Sequence, residues 1–132
     1  MDQLLIPTDI EQAVIDELSP LWTVGTSIPA EKPALFLRVL ATGGSELNIV
    51  QDEPFVTIEA FGLRETSARE ALDSVLARLQ YAVRSRGRIG DVAVSRIRFV
   101  GLPQNYPLPS VPTHKRYITT IAPAARRRVV NL

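Results

Sequence analysis

In residues 66–87, TSAREALDSVLARLQYAVRSRG, apolar side chains recur at Ala68, Ala71, Leu72, Val75, Leu76, Leu79, Ala82 and Val83. Steps of three and four residues put all of them on one face of an α-helix. Ser67, with Glu70 three residues on, reads as a capping box, and Thr66 is the alternative cap. Arg84 and Arg86 stand in the last turn, where the helix dipole favours cations, and Gly87 suits the left-handed residue that stops a helix. Such a helix is about 30 Å long. Its single apolar stripe needs a cover, and the neighbouring segments read as strands, so the expected cover is a sheet.

The rest of the chain supplies the pieces. Thr8, with Glu11 three residues on, opens a shorter N-terminal helix that ends at Ser19, before Pro20. Residues 35–41, LFLRVLA, are apolar except for Arg38 and predict a strand covered on both faces. Residues 42–45, TGGS, read as a hairpin turn, with a short strand possible around Leu47 and Ile49. Residues 55–61 alternate, with Val56, Ile58 and Ala60 on one face and Phe55, Thr57, Glu59 and Phe61 on the other. Residues 92–100 form a strand whose alternation slips between Val94 and Ile97, as at a bulge. Four prolines make 101–113 an irregular loop or extended arm, residues 116–122 are a last strand, and 123–132 is a basic C-terminal tail. The expectation is an α+β fold: a single sheet of about four to five strands packed against one long helix and a shorter N-terminal helix. Its 132 residues suit one domain, 1–132.

Few residues suggest chemistry. There is no cysteine, which excludes disulfides and thiolate catalysis. His114 is the only histidine and reads as an exposed loop residue, so a metal site would depend on scattered carboxylates. Gly43-Gly44 lacks the ending of a phosphate-binding loop. Gly87-Arg88-Ile89-Gly90 has the GxxG form of a KH-domain clamp, but a strand follows it, so it reads as a helix stop and turn. Asp52 and Glu53 read as a solvated loop pair, and Arg69 with Asp73 as a weak exposed pair. No enzyme is expected, and no cofactor or metal.

Net charge is +1, so no global field draws the chain to nucleic acid or an anionic membrane. Lysine occurs only at Lys32 and Lys115, against 13 arginines, a skew that suits codon composition. Arg84, Arg86 and Arg88 form one dense stretch and Arg126, Arg127 and Arg128 another. They are candidate electrostatic contacts, for phosphate or for an acidic face of a neighbouring subunit. No aromatic residue is interleaved with them, so base stacking is unsupported. The N-terminus has an acid where a secretory signal carries positive charge, and no run reaches membrane-helix length. A cytoplasmic site of synthesis is expected.

Several motifs, taken in order, resemble the tail terminator proteins of long-tailed, siphovirus-type actinobacteriophages. They are the opening helix DIEQAVID at 9–16, RVLATGG at 38–44, DEPFVTIEAFG at 52–62, the alanine-rich helix, PQNYP at 103–107 and RYITTI at 116–121. The resemblance spans nearly the whole chain, and the run at Arg126 to Arg128 has no counterpart in it. It implies a virion assembly protein, made in the host cytoplasm. Six copies would form a ring that caps the head-proximal end of the tail tube, stops its polymerisation and joins the head connector. The tail tube protein and the connector would be its partners, and genome DNA would pass the lumen without specific binding. On this reading Asp52, Glu53, Phe55, Tyr106 and Leu108 are candidate subunit or tube contacts. The alternatives are a head-closure, connector or tail tube protein, and a small nucleic-acid-binding domain that uses the arginines.

Overall fold

A computed structural model describes residues 2–132. In chain order the elements are β1 (Gln3–Ile6), α1 (Ile10–Leu18), β2 (Val24–Gly25), β3 (Leu35–Glu46), β4 (Gln51–Gly62) and α2 (Glu65–Arg86). They continue with β5 (Arg88–Ile89), β6 (Val92–Phe99), β7 (Gln104–Asn105), β8 (Lys115–Arg126) and β9 (Arg128–Asn131). The main sheet has seven strands in the order β2-β3-β4-β8-β6-β5, with β7 also paired to β8. β2 runs parallel to β3, and the other pairs are antiparallel. α2 lies across β4, β8 and β6, and α1 sits over β3.

The apolar stripe of α2 is the centre of the core. Leu72, Val75 and Leu79 are fully buried, each contributing about 1.5–3 kcal/mol relative to exposure. They meet Leu37 and Val39 of β3, Val56, Ile58 and Ala60 of β4, and Ile121 of β8. Period-two alternation sends Phe36, Phe61 and Glu59 to the opposite face of the sheet. There Phe36 and Phe61 stack at 4.7 Å between ring centres and pack with Val111.

The α+β expectation of four to five strands on one long helix is overturned. The protein is mostly β, with 44% of its residues in strands and 24% in helix, and a curled seven-stranded sheet carries two helices. Two causes are visible. Residues 42–45 do not turn: β3 and β4 stay paired through them, with a register shift between Ala41 and Gly44 that absorbs one extra residue. The chain reverses at residues 47–50 instead, where the Asn48 side chain accepts hydrogen bonds from the Val50 and Gln51 N–H groups at 2.9 and 3.0 Å. Leu47 and Ile49 therefore lie in the reversal rather than in a strand. The second cause is pairing by short segments with no pattern of their own: β2, β5 and β7 are two residues each.

Residues 123–132 are not a loose tail. β8 runs on to Arg126, and β9 pairs with β1 in a separate two-stranded ribbon that joins the two ends of the chain. The slip between Val94 and Ile97 is a register shift against β8, as the broken alternation requires.

The helix ends differ in detail. Asp9, not Thr8, caps α1 by accepting from the Gln12 N–H at 3.0 Å. The Glu11 carboxylate instead accepts from the Ala41 N–H at 2.7 Å, tying α1 to β3. Ser67 serves as partner to a cap at Arg64, whose N–H donates to the serine Oγ at 3.3 Å. Gly87 ends α2 at φ 65°, donating to the Val83 carbonyl at 2.9 Å.

Candidate functional site

Four buried or half-buried ion-pair nodes organise the surfaces flagged in the sequence. Arg38 of β3 donates to both carboxylate oxygens of Glu59 on β4, and Arg116 of β8 donates to its Oε2; the Glu59 side chain is 2% exposed. Arg116 also donates to the Tyr106 carbonyl at 2.7 Å, and its guanidinium lies 5.0 Å from the Tyr106 ring centre. The proline-rich segment is thereby attached to a charge centre inside the sheet. Its other attachments are Leu108, half-buried against Phe36, Phe61 and Val111, and His114, whose Nε2 lies 2.8 Å from the Pro33 carbonyl. His114 lies in the loop as expected but is buried rather than exposed, and sits edge-on to Phe36.

Asp52 and Glu53 are likewise not a loop pair, because β4 begins at Gln51. Glu53 is buried and binds Arg96 at 3.1 Å and Arg98 at 2.8 Å. Asp52 and Glu46 both hold Arg127, at 2.6 and 2.7 Å. Phe55 is half-buried on the same face of β4 as Glu53. The fourth node is Glu17, in α1, which accepts from Arg86 at 2.5 Å, Arg78 at 3.4 Å and the Gly90 N–H at 3.1 Å. The arginines therefore have structural work to do, which composition alone did not suggest. Arg69 and Asp73 form no ion pair.

Glu17 and Glu53 are both held below the ordinary carboxylate range. For Glu17, burial alone would raise the pKa, but the Gly90 N–H and the Arg86 and Arg78 guanidinium groups outweigh it. For Glu53, the hydrogen bond from Arg98 is the largest cause. A depressed carboxyl stabilises the fold above its unfolded value, about 4.3 for glutamate, and that contribution is lost as pH falls through the folded value. Melting temperature is accordingly expected to drop on acidification below about pH 4.3. Glu53→Gln should start lower at pH 7 and lose less between pH 5 and 3. An equal acid-induced loss in both proteins would remove Glu53 from this account.

Of the candidate contact residues, Tyr106 alone among the apolar ones is well exposed, at 55%. With Val100, Leu102 and Ile118 it lines a surface groove of about 270 Å³ beside β7. Leu102 is 75% exposed. The sequence reading missed Val100 and Leu102 because nothing distinguishes exposed apolar residues in a loop from ones that fold inward, as Leu108 does. A second exposed apolar element is the β1–β9 ribbon, with Leu4 and Leu132 on one face and Val129 on the other. The Arg38–Glu59–Arg116 node was also missed. Its signal was lone charges of opposite sign in otherwise apolar strands, which are costly unless they pair.

The two arginine stretches come together. Arg88, Arg126 and Arg128 line one depression, while Arg86 and Arg127 are held by carboxylates and Arg84 stands nearby on α2. Among the described residues, no group of three His, Asp or Glu side chains is placed to hold a metal ion, and no helix is long and apolar enough to cross a membrane. No protein-family model matches the chain, and no curated protein matches it.

Proposed function

We propose that this chain is a structural assembly protein, a tail terminator whose copies close into a ring. The observation that carries the proposal is the pair of dissimilar apolar surfaces on one subunit: the groove at Val100, Leu102 and Tyr106, and the β1–β9 ribbon. Contact between two different patches is head-to-tail, and head-to-tail contacts generate rings when the rotation closes. The ordered motifs that resemble the terminator family supply the rest: a hexamer on the head-proximal end of the tail tube, meeting the tube protein on one side and the head connector on the other. The assembled protein would belong to the virion, with no turnover and no cofactor.

The experiment is solution mass across a concentration range, with and without assembled siphovirus tail tubes. A discrete ring, free or on tube ends, is expected. The double variant Leu102→Ser/Tyr106→Ser should lose the ring while losing little melting temperature, since Leu102 is exposed and Tyr106→Ser removes the aromatic ring's contact with Arg116 but leaves the carbonyl that Arg116 binds. A ring that survives in the double variant would move the interface elsewhere. A wild-type chain that stays monomeric and ignores tube ends would overturn the terminator reading, and long polymers formed by the chain alone would point to a tube subunit.

A further inference from the structure

Three shallow depressions run together along β6. The first, about 390 Å³, is lined by Arg84 and Ser95. The second, about 290 Å³, has Ser95, Gln51 and Arg126. The third, about 190 Å³, has Arg126, Arg88 and Arg128. Ser95 and Arg126 are shared, so the three form one furrow. Among the described residues, Arg84, Arg88, Arg126 and Arg128 make no ion pair, although seven other arginines do. Arg88 donates only to the Asp91 carbonyl, at 2.5 Å.

We infer that this furrow binds the phosphate backbone of nucleic acid, without reading its sequence. Four guanidinium groups left without carboxylates suit phosphate oxygens, which accept their paired N–H donors. The Gln51 amide donates to the Ser95 hydroxyl at 3.1 Å, which leaves the Ser95 O–H as a neutral donor of the kind that contacts phosphates. Among the described residues no aromatic side chain lines the furrow, so bases have nothing to stack on. The apolar side chains that line it, Val83, Ile97 and Val92, are half-buried rather than exposed, which favours nucleic acid over an acidic protein, because protein interfaces centre on large apolar or aromatic anchors. Asp91 lines the third depression together with the arginines, and Asp9 and Asp16 line the adjoining groove that also reaches Arg128, so the furrow is least suited to anions at that end. The inference does not depend on the ring, since it rests on the charge of a single subunit.

The test is fluorescence anisotropy of a labelled 20-base-pair duplex, titrated with the protein from 50 to 200 mM NaCl. Four phosphate contacts predict a log–log salt slope of about −3.6, and so roughly a hundredfold loss of affinity over that range. Arg126→Ser/Arg128→Ser should reduce the slope by about 2 and weaken binding at 50 mM more than tenfold. The exposed control Lys32→Ser/Arg69→Ser should change neither, and both variants should melt with the wild type. Absence of binding at 50 mM, or an equal loss in the control, would overturn the inference. Displacement of the duplex by polyglutamate at a lower charge concentration would also overturn it, in favour of an acidic protein partner.

Discussion

Replacing Glu59 with alanine is expected to destabilise the fold by about 3–5 kcal/mol, because it leaves two guanidinium groups facing each other without a counter-charge. Arg116 is almost fully buried and Arg38 is partly so, and among the described residues neither pairs with another carboxylate. The loss should spread to the proline-rich segment. Arg116 holds the Tyr106 carbonyl and lies against the Tyr106 ring, so Arg116 released from Glu59 no longer fixes that strand pairing. Urea unfolding followed by circular dichroism gives the first quantity, and amide exchange at Tyr106, whose N–H donates to the Arg116 carbonyl at 3.0 Å, gives the second. A buried ion pair can often be replaced as a whole by apolar residues without loss. The triple variant Arg38→Met/Glu59→Leu/Arg116→Met should therefore recover most of the stability. If Glu59→Ala costs less than about 1 kcal/mol, the node is better solvated than its burial implies.

Gly44→Ala is expected to cost at least about 2–3 kcal/mol. Gly44 has φ 122°, and a Cβ there would meet the Glu53 carbonyl oxygen, with Pro54 Cα at 2.5 Å and Phe55 N at 2.8 Å. All of these are backbone atoms of the paired strand and cannot rotate away. Gly43 separates the two causes. Its φ is 101°, yet nothing lies within 4 Å of an added Cβ, so Gly43→Ala carries the backbone strain alone. The difference between the two variants in thermal or urea unfolding measures the close approach of β3 to β4 at the bulge. Equal costs would mean that β4 moves aside freely. The shift should also loosen Glu53 from Arg96 and Arg98, making Gly44→Ala less sensitive to acid than the wild type.

Local patterns carried the fold only as far as local causes reach. Residues 66–87 formed the helix their spacing required, and Val94 to Ile97 formed the irregularity their broken alternation required, because both signals lie within one element. Gly43-Gly44 misled, since a glycine pair permits a hairpin turn and a bulge alike. Only pairing with residues 54–56 chose between them. The candidate site was legible in part. Tyr106 stayed on the surface, whereas Leu108 turned inward onto Phe36 and Phe61, and no property of either residue alone separates the two outcomes. Asp52 and Glu53 were singled out as contacts, but the arginines that hold them lie more than forty residues away in the chain.

By itself the sequence determined which segments are amphipathic, where α2 stops, that no thiol chemistry is available, and that arginine carries nearly all the positive charge. These follow from residue type and short-range spacing. The tertiary structure decided the strand count, the pairing of the two chain ends in one ribbon, and which arginines are held by carboxylates and which are free. Each of those depends on contacts between residues far apart in the chain. Their free energy comes from burial and charge pairing that no single segment contains.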